Sequence, residues 1–198
     1  NSRINVLEIE ANAGFGEAVA HGVAQLPQPH QVINEHGEVE EREVEWLWLL
    51  HDDCAPAPET LVTLLDAVSE RPNVGVVGPK ILGWHDRTHL LEMGVSIAHN
   101  GARWTGLERN ERDQGQHDGD GFLQVLAVST AGALIRRDLF EEIGGFDENL
   151  PLFRDDVDFG MRAYMAGFVV ICATNAKLFR SEEHTSELQS RVDISYAV

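Results

Sequence analysis

Two acidic clusters hold the residues best suited to chemistry. The apolar run Val44-Glu45-Trp46-Leu47-Trp48-Leu49-Leu50 ends in His51-Asp52-Asp53, and Leu152-Phe153-Arg154 leads into Asp155-Asp156-Val157-Asp158. The first cluster lies where a buried strand would emerge from a sheet, a place where carboxylates contribute nothing to packing. Holding such charges together costs free energy unless a cation or a transferable proton accompanies them. The pattern points to a strand-end metal site with a separate candidate base. Each cluster also has a plainer reading: helix capping ahead of Pro56 for the first, and acids drawn to the positive end of a helix dipole for the second.

The elements that must position these residues alternate between strand and helix patterns. A strand over 4–9 feeds the turn-rich Asn12-Ala13-Gly14-Phe15-Gly16, and a helix over 17–25 is ended by Pro27 and Pro29. The acid-dense stretch through Glu35, Glu38, Glu40, Glu41, Glu43 and Glu45 reads as a solvated loop, since like charges repel. A strand over 44–50 delivers the first cluster, and Pro56 and Pro58 precede a helix from Glu59. A short buried strand is expected over 74–79, and a hairpin over 90–106 turning at Asn100-Gly101. A long polar loop follows over 107–121, then strands at 124–128 and 133–135. A helix over 139–143 is stopped by Gly144-Gly145, one over 157–166 is closed by Gly167, and a strand covers 168–173. This alternation favours one α/β domain with a mostly parallel sheet, crossover helices on its faces and a small antiparallel hairpin.

Composition narrows the function classes. The chain has 198 residues, of which 43% are hydrophobic, enough for a real core and too many for general disorder. A formal net charge of −18 excludes a nonspecific nucleic-acid binder and opposes docking on an anionic membrane. Cys54 and Cys172 make neither a disulfide framework nor a metal spacing, so a reduced, cytoplasmic protein is expected. No stretch is long and apolar enough to span a bilayer. The segment Ser181-Glu182-Glu183-His184-Thr185-Ser186-Glu187-Leu188-Gln189-Ser190 has no structural period, and with Arg180 it resembles the conceptual translation of a sequencing-adapter oligonucleotide. Residues 180–198 are therefore expected to be a non-native tail, and 1–179 the catalytic domain.

Four stretches, in order, resemble the inverting, nucleotide-sugar-dependent glycosyltransferases of family 2. They are Asn12-Ala13-Gly14-Phe15-Gly16 with Ala18 and Gly22, and Trp48-Leu49-Leu50-His51-Asp52-Asp53 with Pro56. The third is Ser129-Thr130-Ala131-Gly132-Ala133-Leu134-Ile135-Arg136-Arg137, running on to Gly144-Gly145-Phe146-Asp147-Glu148, and the last is Asp155-Asp156-Val157-Asp158 with Arg162 and Gly167. The resemblance implies a Rossmann-like GT-A fold and a bacterial enzyme. It would move a sugar from a nucleoside-diphosphate donor to a hydroxyl on a glycan or lipid-linked acceptor, and it admits a membrane-associated parent protein.

The resemblance also implies roles. Strand-end carboxylates would hold Mn²⁺ or Mg²⁺ against the donor diphosphate. His51 departs from the family's acidic first position, so either His51 ligates beside Asp53 or Asp53 does so alone, with Asp52 near the donor. The family's acidic pair maps onto Asp155 and Asp156, with Asp156 as general base. Asn12, Gly14 and Gly16 would approach the nucleotide, although an ordinary strand-to-helix turn explains them as well. The loop from Ser129 to Gly132, with Ala131 and Gly132 small, would leave room for the donor sugar, although a tight strand bend explains it as well. Asp158 and Arg162, four apart, read as a structural ion pair. Trp46 and Trp48 read as core, and Trp104 as a surface on which an acceptor sugar stacks. Two expected family features fall outside this text: a nucleoside-binding strand ahead of Asn1, and a metal-binding histidine near Phe179 or Arg180. The competing functions are a nucleotidyltransferase on a similar fold and an inactive fragment or carbohydrate-binding module.

Overall fold

The computed structural model describes residues 6–9, 14–26, 30–33, 36–150 and 154–181. Helix α1 (Phe15–Ala24) is followed by an antiparallel pair, β1 (His30–Ile33) and β2 (Val39–Arg42). Strands β3 (Trp46–Trp48) and β4 (Cys54–Pro56) flank the first acidic cluster, and α2 (Thr60–Ser69) leads into β5 (Val74–Gly83). Then come β6 (Leu90–Glu92), the hairpin of β7 (Ser96–Ile97) and β8 (Arg103–Trp104), β9 (Phe122–Val125) and β10 (Leu134–Arg136). Helices α3 (Arg137–Glu142) and α4 (Asp155–Met165) precede the last strand, β11 (Val169–Arg180).

The main sheet runs in the order β3-β10-β5-β11-β4, with β6 added to β5 and β9 to β11. Every residue of β5 is buried, as a strand covered on both faces requires. Side chains alternate between the two faces with the period of two that strand geometry imposes. Val77, Leu134 and Ile171 meet Leu64 and Val68 of α2. On the other face Val76, Ile135 and Val170 pack with Val19 of α1, Leu139 and Phe140 of α3, and Phe159 of α4. Among the described residues no helix is long and apolar enough to cross a membrane.

The α/β class, the flanking helices and the hairpin turning at Gly101 (φ +78°) match expectation. Strand direction does not: within the main sheet only β5–β11 is parallel, and the other pairings are antiparallel. Strand–helix alternation cannot report direction when β3, β4, β6 and β9 are three- or four-residue strands. The acid-dense stretch is no simple loop, because Val39–Arg42 pairs with His30–Ile33. Glu38, Glu40, Glu41, Glu43 and Glu45 stay exposed while the backbone supplies the pairing.

Proline placement explains two further differences. Pro79 does not end β5, because it sits at a register break opposite Ala173, where a missing N–H is tolerated. Pro56 lies in β4, a strand unrecognised in the sequence, which forms the sheet edge against Leu178–Arg180. Residues 6–9 form no strand, and the remainder of the expected first strand lies outside the described residues. The last strand runs past Ala173 to Arg180, the first residue of the expected tail.

Candidate functional site

The end of β3 is pinned to the loop that precedes β10. Leu49 donates its N–H to Ala133 at 2.8 Å, and Gly132 donates its N–H back to Leu49 at 2.8 Å. This doubled contact sets His51-Asp52-Asp53 beside Ser129–Gly132. The His51 Nε2 lies 3.0 Å from Thr130 Oγ1, and its ring stands 5.6 Å from that of Phe15. Burial pushes the His51 imidazole down to about 4, with Arg180 acting in the same direction and Asp53 and Asp52 opposing. The ring is neutral at pH 7.

Asp53 is the buried carboxylate of the cluster, its side chain only 3% exposed. Its Oδ2 accepts a hydrogen bond from Arg180 Nε at 3.0 Å, while its Oδ1 is buried with no hydrogen-bond partner. A buried carboxylate oxygen left open is costly, and it is the kind of atom that coordinates a cation. Asp52, by contrast, is exposed. Among the described residues no three His, Cys, Asp or Glu side chains converge on one point. The arrangement therefore fits an ion held by one protein carboxylate and completed by ligand oxygens, a common mode for Mg²⁺.

The second cluster opens α4. Arg154 adopts a left-handed conformation (φ 78°) immediately before it, an unfavourable geometry for a non-glycine residue. The Asp156 Oδ1 accepts the Val157 N–H at 2.9 Å, and Oδ2 faces Arg103 Nη2 at 3.3 Å. The Asp155 carboxyl is pushed upward, first by burial and then by Asp156, Asp158 and Asp147. Thr130 and Asp156 line one small cavity in the core, among Val76, Ile135, Phe146 and Phe159, and Thr130 also contacts His51.

The remaining predicted site residues have other local settings. Ala131 is fully buried, and a Cβ at Gly132 (φ +101°) would stand 2.7 Å from Leu178 Cδ1. Both shape the loop's path, and Thr130 is the loop residue presented to His51. Gly14 is open, with nothing within 4 Å of an added Cβ, whereas Gly16 packs against Phe146. Asn12 lies outside the described residues. Arg162 binds Asp158 at 2.5 Å and also the carbonyls of Ile143 and Gly145, the expected structural pair with an added tie to the end of α3. Trp46 and Trp48 pack at the core, and Trp104 is 59% exposed.

Two neighbours of these residues, Glu92 and Arg103, escaped sequence reasoning, and Thr130 entered it only as part of the Ser129–Gly132 loop. Glu92 carried a usable signal, being a carboxylate within the apolar run Leu90-Leu91-Glu92-Met93. Arg103 carried none, since only the fold brings it to Asp156.

Comparisons with known proteins bear on the family and the fold. The family described as "Glycosyltransferase like family 2" matches residues 2–193. An N-acetylglucosaminyl-diphospho-decaprenol L-rhamnosyltransferase of Mycobacterium tuberculosis is 28% identical, over 92% of this chain and 60% of its own length. The O-antigen biosynthesis protein RfbC of Myxococcus xanthus is 25% identical over 77% of this chain and 12% of its own. The galactofuranosyltransferase GlfT1 of Mycolicibacterium smegmatis is 25% identical over 62% of this chain and 39% of its own. The chain thus spans about 60% of the rhamnosyltransferase it matches. Among solved structures, GalNAc-T7 with UDP, GalNAc and Mn²⁺ superposes with a TM-score of 0.56 at 13% identity, covering 86% of this chain and 31% of its own, which supports the GT-A fold. With a family match across nearly its whole length, this chain belongs to glycosyltransferase family 2.

Proposed function

We propose that the chain transfers a sugar from a nucleoside diphosphate to a hydroxyl with inversion, using Asp156 as general base, in the assembly of a bacterial envelope glycan. The observation that supports this reading is that Asp156 lines the same small cavity as Thr130, the residue that contacts His51. The acceptor oxygen attacks the anomeric carbon as its proton passes to Asp156 Oδ2. The bond from that carbon to the diphosphate oxygen breaks, and the nucleoside diphosphate leaves on the opposite face. Val157 N–H holds Oδ1 at 2.9 Å, and Oδ2, at the longer 3.3 Å from Arg103, is assigned to take the proton.

Asp53 Oδ1, with His51 or Asp52 alongside, would hold Mn²⁺ or Mg²⁺, whose chemistry is to neutralise the departing diphosphate. Relatives that transfer rhamnose and galactofuranose make a nucleoside-diphosphate deoxyhexose or furanose the first donors to test, and a lipid-diphosphate-linked sugar the first acceptor. Reduced Cys54 and Cys172 and the charge of −18 support a cytoplasmic location. The test is Asp156→Asn in a coupled assay of nucleoside-diphosphate release. Transfer should fall at least a hundredfold while donor affinity holds. Transfer within threefold of wild type would remove Asp156 from the chemistry.

A further inference from the structure

Arg103 stands on β8, yet its guanidinium lies between two carboxylates from distant parts of the chain. Its Nη2 donates to Glu92 Oε2 at 2.5 Å and reaches Asp156 Oδ2 at 3.3 Å. Glu92 is only 7% exposed, and its second oxygen, Oε1, accepts the Ser129 N–H at 3.0 Å. Ser129 opens the loop whose next residue, Thr130, contacts His51. Asp156 is likewise engaged at both oxygens, by Arg103 and by the Val157 N–H. One cation therefore joins the Ser129–Gly132 loop, through Glu92, to the start of α4. A buried carboxylate such as Glu92 is costly unless paired in good geometry, and the charge-assisted bond from Arg103 Nη2 is the strong kind.

We propose that Arg103, backed by Glu92, is a positioning residue that sets the direction of Asp156 Oδ2 relative to the Ser129–Gly132 loop. The proposal rests on the reading of Asp156 as base. In that scheme Arg103 transfers no proton itself and acts only through Asp156 Oδ2. Because it sits on the β7–β8 hairpin, displacement of that hairpin displaces the partner of the base.

Hydrogen–deuterium exchange tests the coupling without any need for turnover. In Arg103→Met the Ser129 and Val157 amides should exchange at least tenfold faster, with β5 amides unchanged, and Arg103→Lys should stay within threefold of wild type. Unchanged protection at both amides overturns the proposal, as does acceleration that spreads equally into β5. Should Arg103→Met fail to fold, Glu92→Gln decides. Acceleration reaching Val157 supports the relay, and acceleration confined to Ser129 overturns it. In the transfer assay Arg103→Met should lower kcat ten- to a hundredfold with donor KM within threefold, and Arg103→Lys should restore most of it. A loss carried by donor KM would overturn positioning of the base. Transfer that survives Asp156→Asn would remove the base reading itself, while the exchange result would still report whether Arg103 couples the two segments.

Discussion

His51 and Thr130 stand 79 positions apart in sequence, yet Nε2 of one lies 3.0 Å from Oγ1 of the other. That contact fastens the strand-end cluster to the loop before β10. Thr130 in turn shares a cavity wall with Asp156. Thr130 thus neighbours one residue of each acidic cluster.

The buried ring of His51 should make the fold acid-sensitive. Its folded value of about 4, set first by burial and then by Arg180, lies below the ordinary 6.5. The unfolded chain therefore takes up this proton more readily. Stability from this group is complete above about pH 6.5 and is lost as pH falls toward 4, by at most about 3 kcal/mol. Urea denaturation at pH 7 and pH 4 should show a smaller acid loss in His51→Gln than in wild type. Equal losses would contradict the assignment.

Gly160 should tolerate no side chain. An added Cβ would lie 2.1 Å from the Leu126 carbonyl oxygen, so alanine must push α4 outward. Gly160→Ala should cost roughly 1–3 kcal/mol as overpacking against backbone. Gly160 also sits one helical turn beyond Asp156, so turnover should drop with stability. An unchanged denaturation midpoint would refute the close approach.

The buried Lys80 predicts unequal costs for its two partners. Its Nζ donates to Asp113 Oδ1 at 2.8 Å and to Asp118 Oδ1 at 2.6 Å. The Asp113 side chain is 9% exposed and that of Asp118 43%. Asp113→Ala should destabilise by about 3 kcal/mol, the range for breaking a buried pair. Asp118→Ala should cost about 1 kcal/mol or less, as exposed pairs do. Thermal unfolding of the two variants compares them directly, and a reversed order would contradict this account of the 107–121 loop.

Asp53 is the carboxylate on which cation binding should depend. Calorimetric titration with UDP is expected to show Mn²⁺-dependent affinity that falls at least tenfold in Asp53→Asn. Exposed Asp52→Asn should lose less. Affinity indifferent to Mn²⁺ in the wild-type chain would argue for Arg180, already paired with Asp53, as the only cation at this position.

Local pattern carried much of the fold. The apolar run ahead of His51, the glycine stops at Gly144-Gly145 and Gly167, and the Asn100-Gly101 turn all lie where periodicity and backbone preference placed them. These are short-range effects, legible because the residues that cause them are neighbours in sequence. Strand direction was not legible, nor was the edge strand at Pro56, because both follow from pairing between strands distant in sequence, as Trp48 with Leu134 and Pro56 with Leu178.

The same division holds for the site. The chemical types were evident from the chain: carboxylates where no packing explains them, in two clusters of family 2 spacing. Their surroundings were decided only by the fold. Burial turned His51 neutral and left Asp53 Oδ1 without a partner, and neither effect exists until Phe15, Thr130 and β11 surround the strand end. The link from Ser129 through Glu92 and Arg103 to Asp156 is likewise tertiary. A charge's partner is set by distance in space, and no sequence period encodes it.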